Sequence, residues 1–156
     1  VFPLKRAALM LWLLGLSACA SAPRLGADAT LEEMTFGLEA EVNPAEMTRH
    51  PRGFWFREIL EGDGTPAGPG RSVEVAYVVR LADGREVDRA EVERPLRFRI
   101  GDESMIPALD AAVREMRAGG ARQLVVPPRL GYGARRAGPV PPNSVLVMVV
   151  QLVRVE

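Results

Sequence analysis

The sequence predicts an α+β fold in which an antiparallel sheet wraps over one short helix. Three observations lead there. From Phe54 onward the chain breaks into short strand-like runs separated by glycine and proline turn signals. Only one stretch carries a convincing helical stripe, at Ile106, Leu109, Val113 and Met116. The composition, 47% hydrophobic and 26% charged, is that of a globular chain and not a disordered one. Many strands and one helix fit a sheet packed on that helix.

Each element follows in order. Phe54 to Leu60 reads as the first strand. Gly62-Asp63-Gly64 and Pro66-Ala67-Gly68-Pro69-Gly70 are turn material. Val73, Val75, Tyr77 and Val79 alternate with other residues, the period of a strand. Asp83-Gly84 marks a tight hairpin, with Arg85 to Asp88 as the return strand. Pro95 to Ile100 follows, with Leu96, Phe98 and Ile100 on one face. Ser104 is placed to cap the helix, Pro107 suits its first turn, and Gly119-Gly120 ends it. A strand from Arg122 to Val126, a loop, and a last strand from Val145 to Val155 complete the domain.

The 156 residues suit one domain with a short leader and tether. Residues 1–18 form the leader, 19–52 a tether with short helices, and 53–156 the folded domain. Ala20 to Ala29 is small, polar and proline-bearing, as a tether is. Thr30 with Glu33 makes a capping box, and Leu31, Met34 and Leu38 recur at helical spacing. Asn43-Pro44 with Glu46 opens a second short helix. These helices have two readings: packing against the domain edge, or a dimerisation arm. The oligomeric state is left open.

The formal net charge is zero, and Lys5 is the only lysine. Nothing here suggests nucleic acid or a charged lipid surface. One cysteine, Cys19, excludes an internal disulfide framework and a multi-cysteine metal site. One histidine, His50, removes most metal and triad chemistry. No cofactor is expected.

Lys5 and Arg6 precede an uncharged apolar run from Ala7 to Leu16. At ~10 residues it is short of the ~20 a spanning helix needs, and it fits a secretory signal. Leu16-Ser17-Ala18-Cys19 resembles the lipobox of bacterial lipoproteins. The resemblance implies cleavage before Cys19, lipidation of its thiol, and a firm multi-chain anchor. Ala20 and Ser21, with no Asp after the cysteine, lean toward the outer membrane, facing the periplasm. An ordinary signal peptide with a chance cysteine, and an uncleaved anchor helix, are the alternatives.

From about Gly53 to Glu156 the residues resemble the FKBP family of peptidyl-prolyl isomerases. The landmarks occur in family order: Tyr77 with Leu81-Ala82-Asp83-Gly84, then Val87-Asp88, Pro95-Leu96-Arg97-Phe98 and Ile100-Gly101. Met105-Ile106, Met116-Arg117-Ala118-Gly119-Gly120, Val126-Pro127-Pro128, Leu130-Gly131-Tyr132-Gly133 and Val140-Pro141-Pro142-Asn143-Ser144 follow. Each is weak alone; the ordered set is specific. The resemblance implies a half-barrel sheet over the helix and isomerisation of the bond before proline in polypeptide substrates.

That reaction breaks amide resonance, against a barrier of ~18–20 kcal/mol, and forms no bond to the enzyme. It needs no nucleophile or metal. A dry apolar pocket favours the twisted amide, and an oriented donor can hold its carbonyl. By resemblance, Tyr77 and Asp88 lie at the rim, Tyr132 offers its hydroxyl to a substrate carbonyl, and the Ile106 N–H is a second donor. Val87, Leu96, Met105, Ile106, Leu109, Val140 and Met148 form the apolar wall. Read from pattern alone, Tyr77 and Tyr132 are half-buried tyrosines, Asp88 is a turn residue, and Leu109 and Met148 are core.

The sequence departs from the family where the pocket is usually aromatic. Val87, Leu96, Leu109 and Met148 stand at positions that commonly carry rings, and Val79 replaces a frequent glycine. The Arg135-Arg136-Ala137-Gly138 loop is about one residue short of a common family form. The wall stays apolar but loses contact area. The expectation is weak-to-moderate isomerase activity and poor binding of bulky macrolides. A non-catalytic peptide-binding or chaperone module, and a purely structural lipoprotein, are the alternatives.

Overall fold

The structure is a computed structural model that describes residues 41–156. The leader, Cys19, the tether and the Thr30–Leu38 helix expectation lie outside the described residues. Among the described residues seven strands form one antiparallel sheet. They are β1 (Thr48–Arg49), β2 (Trp55–Leu60), β3 (Ser72–Leu81), β4 (Glu86–Ala90), β5 (Leu96–Arg99), β6 (Ala121–Val126) and β7 (Leu146–Val155). Among the described residues one α-helix, α1 (Pro107–Arg114), lies between β5 and β6. The strand order is β1-β2-β6-β7-β3-β4, and β5 pairs with the first half of β3.

The alternation seen in the sequence decides which face is inside. Val73, Val75, Val79 and Leu81 of β3 meet Leu146, Met148, Val150 and Leu152 of β7, with Leu124 and Val126 from β6. Ala108, Leu109, Ala111, Ala112 and Val113 of α1 bury into the same cluster. Alanines on the helix let it sit close to the sheet, and the long valine-rich strands curve around it. The reverse face holds a second, smaller cluster of Trp55, Val125 and Val145, with Val42, Met47 and Ala82 packed against it.

The helix corrects two sequence expectations. Ser104 is not its cap; the Ser104 hydroxyl and N–H both bond Asp102 Oδ1, in a turn of their own. The cap position is Ile106, whose side chain makes no capping bond. Proline forces the residue before it into extended backbone, so the helix begins at Pro107 and no earlier. Nor does Gly119-Gly120 end it. The helix stops at Arg114, with Glu115 as its C-cap, and the glycines form a separate turn into β6. Asn43-Pro44 opens one 3-10 turn, Pro44–Glu46, with the Asn43 side chain accepting from the Ala45 N–H at 3.2 Å.

That separate turn explains Gly62. The Gly64 N–H donates to Ala118 O at 3.1 Å and the Ala118 N–H to Thr65 O at 3.0 Å, so two loops run backbone to backbone. A Cβ at Gly62 would lie 2.3 Å from Arg117 O, 2.6 Å from Ala118 O and 2.6 Å from Gly120 N. None of these is a flexible side-chain end. Gly62→Ala is therefore expected to destabilise the fold by at least ~2 kcal/mol in urea denaturation, although alanine is the smallest chiral replacement. Gly68→Ala, whose Cβ meets nothing within 4 Å, is the control.

Candidate active site

The site begins with an irregularity in β4. Val79 of β3 faces Asp88, but its neighbour Arg80 faces Glu86, leaving Val87 as an extra residue. In a regular strand adjacent side chains point to opposite faces; a bulge breaks that rule and re-aims one of them. Val87 thus packs against the main core cluster while Asp88, beside it, receives the Tyr77 hydroxyl. Tyr77 Oη donates to Asp88 Oδ2 at 2.9 Å, and the Arg89 N–H donates to Asp88 Oδ1 at 2.8 Å. Both carboxylate oxygens are held, one by a side chain and one by the backbone.

Tyr132 arrives from the loop that follows a 3-10 turn at Pro128–Leu130. The Gly133 N–H donates to Pro128 O at 2.8 Å, and the Asn143 N–H to Gly133 O at 2.8 Å. Ala137 and Val140 exchange backbone bonds of 3.1 and 2.9 Å across the loop. Asn143 takes φ +57°, a conformation asparagine tolerates better than most residues. The loop is thus fixed at its base while Tyr132 stays 38% exposed.

Electrostatics ties these groups together. Burial raises the Tyr77 pKa above the usual tyrosine range, and the Asp88 hydrogen bond and charge raise it further. Tyr132 is raised in the same direction, first by burial and then by the Asp88 charge. The hydrogen bond joins Tyr77 to Asp88, and the Asp88 charge raises both phenols. The neutral phenol is the form the fold favours. Its stabilising contribution is therefore complete below about pH 10, where unfolded tyrosine titrates, and declines as pH rises beyond it. Any activity that needs these phenols is expected to stay flat up to about pH 9.5, and a pH–rate profile on a fixed peptide would check it.

The apolar side has two layers. Tyr77, Val87, Leu96, Met105 and Ile106 are partly buried and pack on the core cluster from outside. Leu109, Val140 and Met148 belong to the cluster itself and are only 3%, 3% and 2% exposed. They lie beneath the wall and present almost no surface of their own. The Ile106 C=O accepts from the Leu109 and Asp110 N–H groups at 3.1 and 3.3 Å. Its own N–H donates to no acceptor among the described residues, as expected of the first groups of a helix.

Two contributors were not foreseen from sequence. One is the Val87 bulge with its backbone donor at Arg89. The other is Asp110, whose Oδ1 accepts the Gly101 N–H at 2.6 Å while Oδ2 accepts from Arg114 at 2.9 Å. Asp110 ties the segment carrying Met105 and Ile106 to the helix. An acid in the first turn of a helix was its only sequence signal.

The profile of the FKBP-type peptidyl-prolyl cis-trans isomerase family matches residues 64–153, more than half of the chain. The chain belongs to that family. An FK506-binding protein of Streptomyces anulatus is 38% identical over 109 residues, covering 67% of this chain and 88% of its own. FK506-binding protein 4 of Mycosarcoma maydis is 32% identical over 127 residues, and there the chain spans 33% of the relative's length. Among solved structures, a peptidyl-prolyl cis-trans isomerase from Pseudomonas syringae superposes with a TM-score of 0.65 at 30% identity, covering 84% of this chain and 99% of that one. The family's fold is the expected sheet over one short helix.

Proposed function

We propose that this FKBP-family chain catalyses cis–trans isomerisation of peptidyl-prolyl bonds in envelope or secreted proteins, from a lipid anchor on Cys19. The observation that carries the catalytic part is the hydrogen-bonded pair of Tyr77 and Asp88, whose charge also acts on Tyr132, beside a half-buried aliphatic wall. A proline ring would rest on Val87, Leu96, Met105 and Ile106, above Leu109, Val140 and Met148. The Tyr132 hydroxyl and the free Ile106 N–H would bond the carbonyls flanking the ring. Asp88, held by Tyr77, would meet the twisting amide from the rim. An amide turned out of plane loses conjugation and part of its dipole, so a water-poor wall favours it over the planar form. No covalent step is required. The test is NMR exchange on a proline peptide with and without the protein; unchanged exchange at a fifth of the peptide concentration contradicts the proposal.

One observation favours reduced activity or a mainly binding role. The wall carries Val87 and Leu96 where rings are frequent, and the layer beneath is almost fully covered. Val87→Phe with Leu96→Phe is expected to raise affinity for a bulky macrolide such as FK506 by about tenfold, since aromatic contacts contribute roughly 0.5–1.5 kcal/mol each. Calorimetric titration of both proteins checks this. Tight binding by the unmodified chain contradicts it.

The anchor rests on Leu16-Ser17-Ala18-Cys19 and the apolar run before it. Mass analysis of the mature amino terminus tests it. A diacylglyceryl-modified Cys19 is expected, and an unmodified cysteine overturns the lipoprotein reading. Outer-membrane placement facing the periplasm is the location this reading supports.

A further inference from the structure

The loop that carries Tyr132 also carries two adjacent arginines that the proposed reaction does not use. Arg135 and Arg136 are exposed. Among the described residues, neither guanidinium takes part in an ion pair or a hydrogen bond. Arg57, Arg89, Arg97 and Arg122 on the strands, by contrast, each meet a carboxylate. The position of the two free charges is fixed by the backbone. The Arg135 N–H donates to Tyr132 O at 3.4 Å, closing a turn whose end residues lie within ~7 Å of each other. One residue beyond Arg136, Ala137 exchanges backbone bonds with Val140, which is buried in the core. Both guanidiniums therefore project from a braced loop, with Tyr132 at one foot of it.

The segment leading to Met105 and Ile106 carries the opposite sign. Asp102 and Glu103 are both exposed, and neither has a cationic partner among the described residues. Asp102 accepts only from Ser104. Asp88 is engaged by the Tyr77 hydroxyl and the Arg89 N–H, and the Arg89 guanidinium is taken by Glu86. Free positive charge thus accompanies Tyr132, and free negative charge accompanies Ile106. We propose that Arg135 and Arg136 select substrates that carry a carboxylate side chain, Asp or Glu, next to the proline, on the side of the ring nearer Tyr132. This rests on the isomerase reading and adds to it the class of substrate. A guanidinium offers paired donors that match the two oxygens of a carboxylate. The ~8 Å screening length at physiological salt spans the turn between Tyr132 and Arg135. Asp88 brings one opposing charge, and the two guanidiniums outnumber it. Substrates with Lys or Arg at the same place would meet like charge.

A set of short peptides tests this, with Glu, Ala or Lys placed directly before the proline or directly after it. NMR titration gives the affinity of each, and exchange spectra give the acceleration over the uncatalysed rate of the same peptide. At one of the two positions the Glu peptide is expected to bind about three- to tenfold more tightly than the Lys peptide, with Ala between them. At 1 M salt, where the screening length is ~3 Å, the ratio is expected to fall below about twofold. Arg135→Ala with Arg136→Ala should do the same at low salt, and Arg135→Glu with Arg136→Glu should invert the ranking. These side chains are exposed and unpaired, so the urea midpoint should not move. A ratio near one at both positions overturns the proposal, and so does a preference for Glu that survives the paired substitutions. The Ala peptides report the isomerase reading by itself. Accelerated exchange with no charge preference removes the role of the arginines alone, whereas charge-ranked binding without acceleration supports that role and contradicts turnover.

Discussion

Asp88→Ala is expected to lower kcat/KM for a proline peptide by roughly 10- to 100-fold while leaving the urea midpoint almost unchanged. The two effects separate because of where Asp88 sits. Its partner is the Tyr77 hydroxyl at 2.9 Å, Asp88 itself is exposed, and a hydrogen bond of this kind contributes about 1 kcal/mol to folding. A charged hydrogen-bonding group lost from a transition state costs ~1.5–3 kcal/mol, which is the stated range in rate. Tyr132→Phe removes only a hydroxyl and should fall at the lower end of that range. Tyr77→Phe frees the Asp88 carboxylate without deleting it, so its effect should be smaller than that of Asp88→Ala. If the two variants lose equal activity, Tyr77 contributes more than the positioning of Asp88.

The largest stability effect is expected at Phe54. Its side chain is fully buried and stacks on the His50 ring, with centroids 4.3 Å apart. His50 is itself held: its Nδ1 accepts the Arg52 N–H at 3.1 Å and its Nε2 lies 3.2 Å from Glu115 Oε1, beyond the end of α1. Phe54 therefore joins the segment before β2 to the core and, through His50, to the helix. Phe54→Ala is expected to cost ~3–5 kcal/mol by the cavity it leaves, enough to unfold a marginal domain. Phe54→Leu should cost less than half of that. Phe54 precedes the residues matched by the family profile, so a fragment covering only 64–153 is expected not to fold.

Much of this was legible in the sequence, for a physical reason. Val73, Val75 and Val79 alternate because one face of β3 meets the helix, and such a face cannot be polar. Pro107 marked the first helical turn because its ring fixes the backbone there. Ser104 misled because a hydroxyl three residues before a proline suits a cap equally well and an Asp102 turn; local bonding chose the turn. Gly119-Gly120 misled because a glycine pair signals a stop without saying what stops. Tertiary contact with Gly64 and Leu152 settled that.

The site was legible unevenly. Tyr77, Asp88 and Tyr132 could be named from ordered motifs, and the structure joins the first two by a hydrogen bond of 2.9 Å. The bulge that turns Val87 and Asp88 to the same side has no signature in a single sequence, since it depends on the register between β3 and β4. The depth of the wall was also invisible. Leu109 and Met148 follow the same apolar pattern whether a substrate touches them or other side chains cover them.

The most direct measurement is refolding of a protein whose slow phase is limited by a proline bond, a phase of tens to hundreds of seconds without catalysis. Catalytic amounts of the chain are expected to shorten that phase in proportion to concentration, and the Asp88→Ala variant to lose most of the effect. A slow phase unchanged by the unmodified chain, or shortened equally by the variant, would contradict the account of a phenol–carboxylate rim over an aliphatic wall.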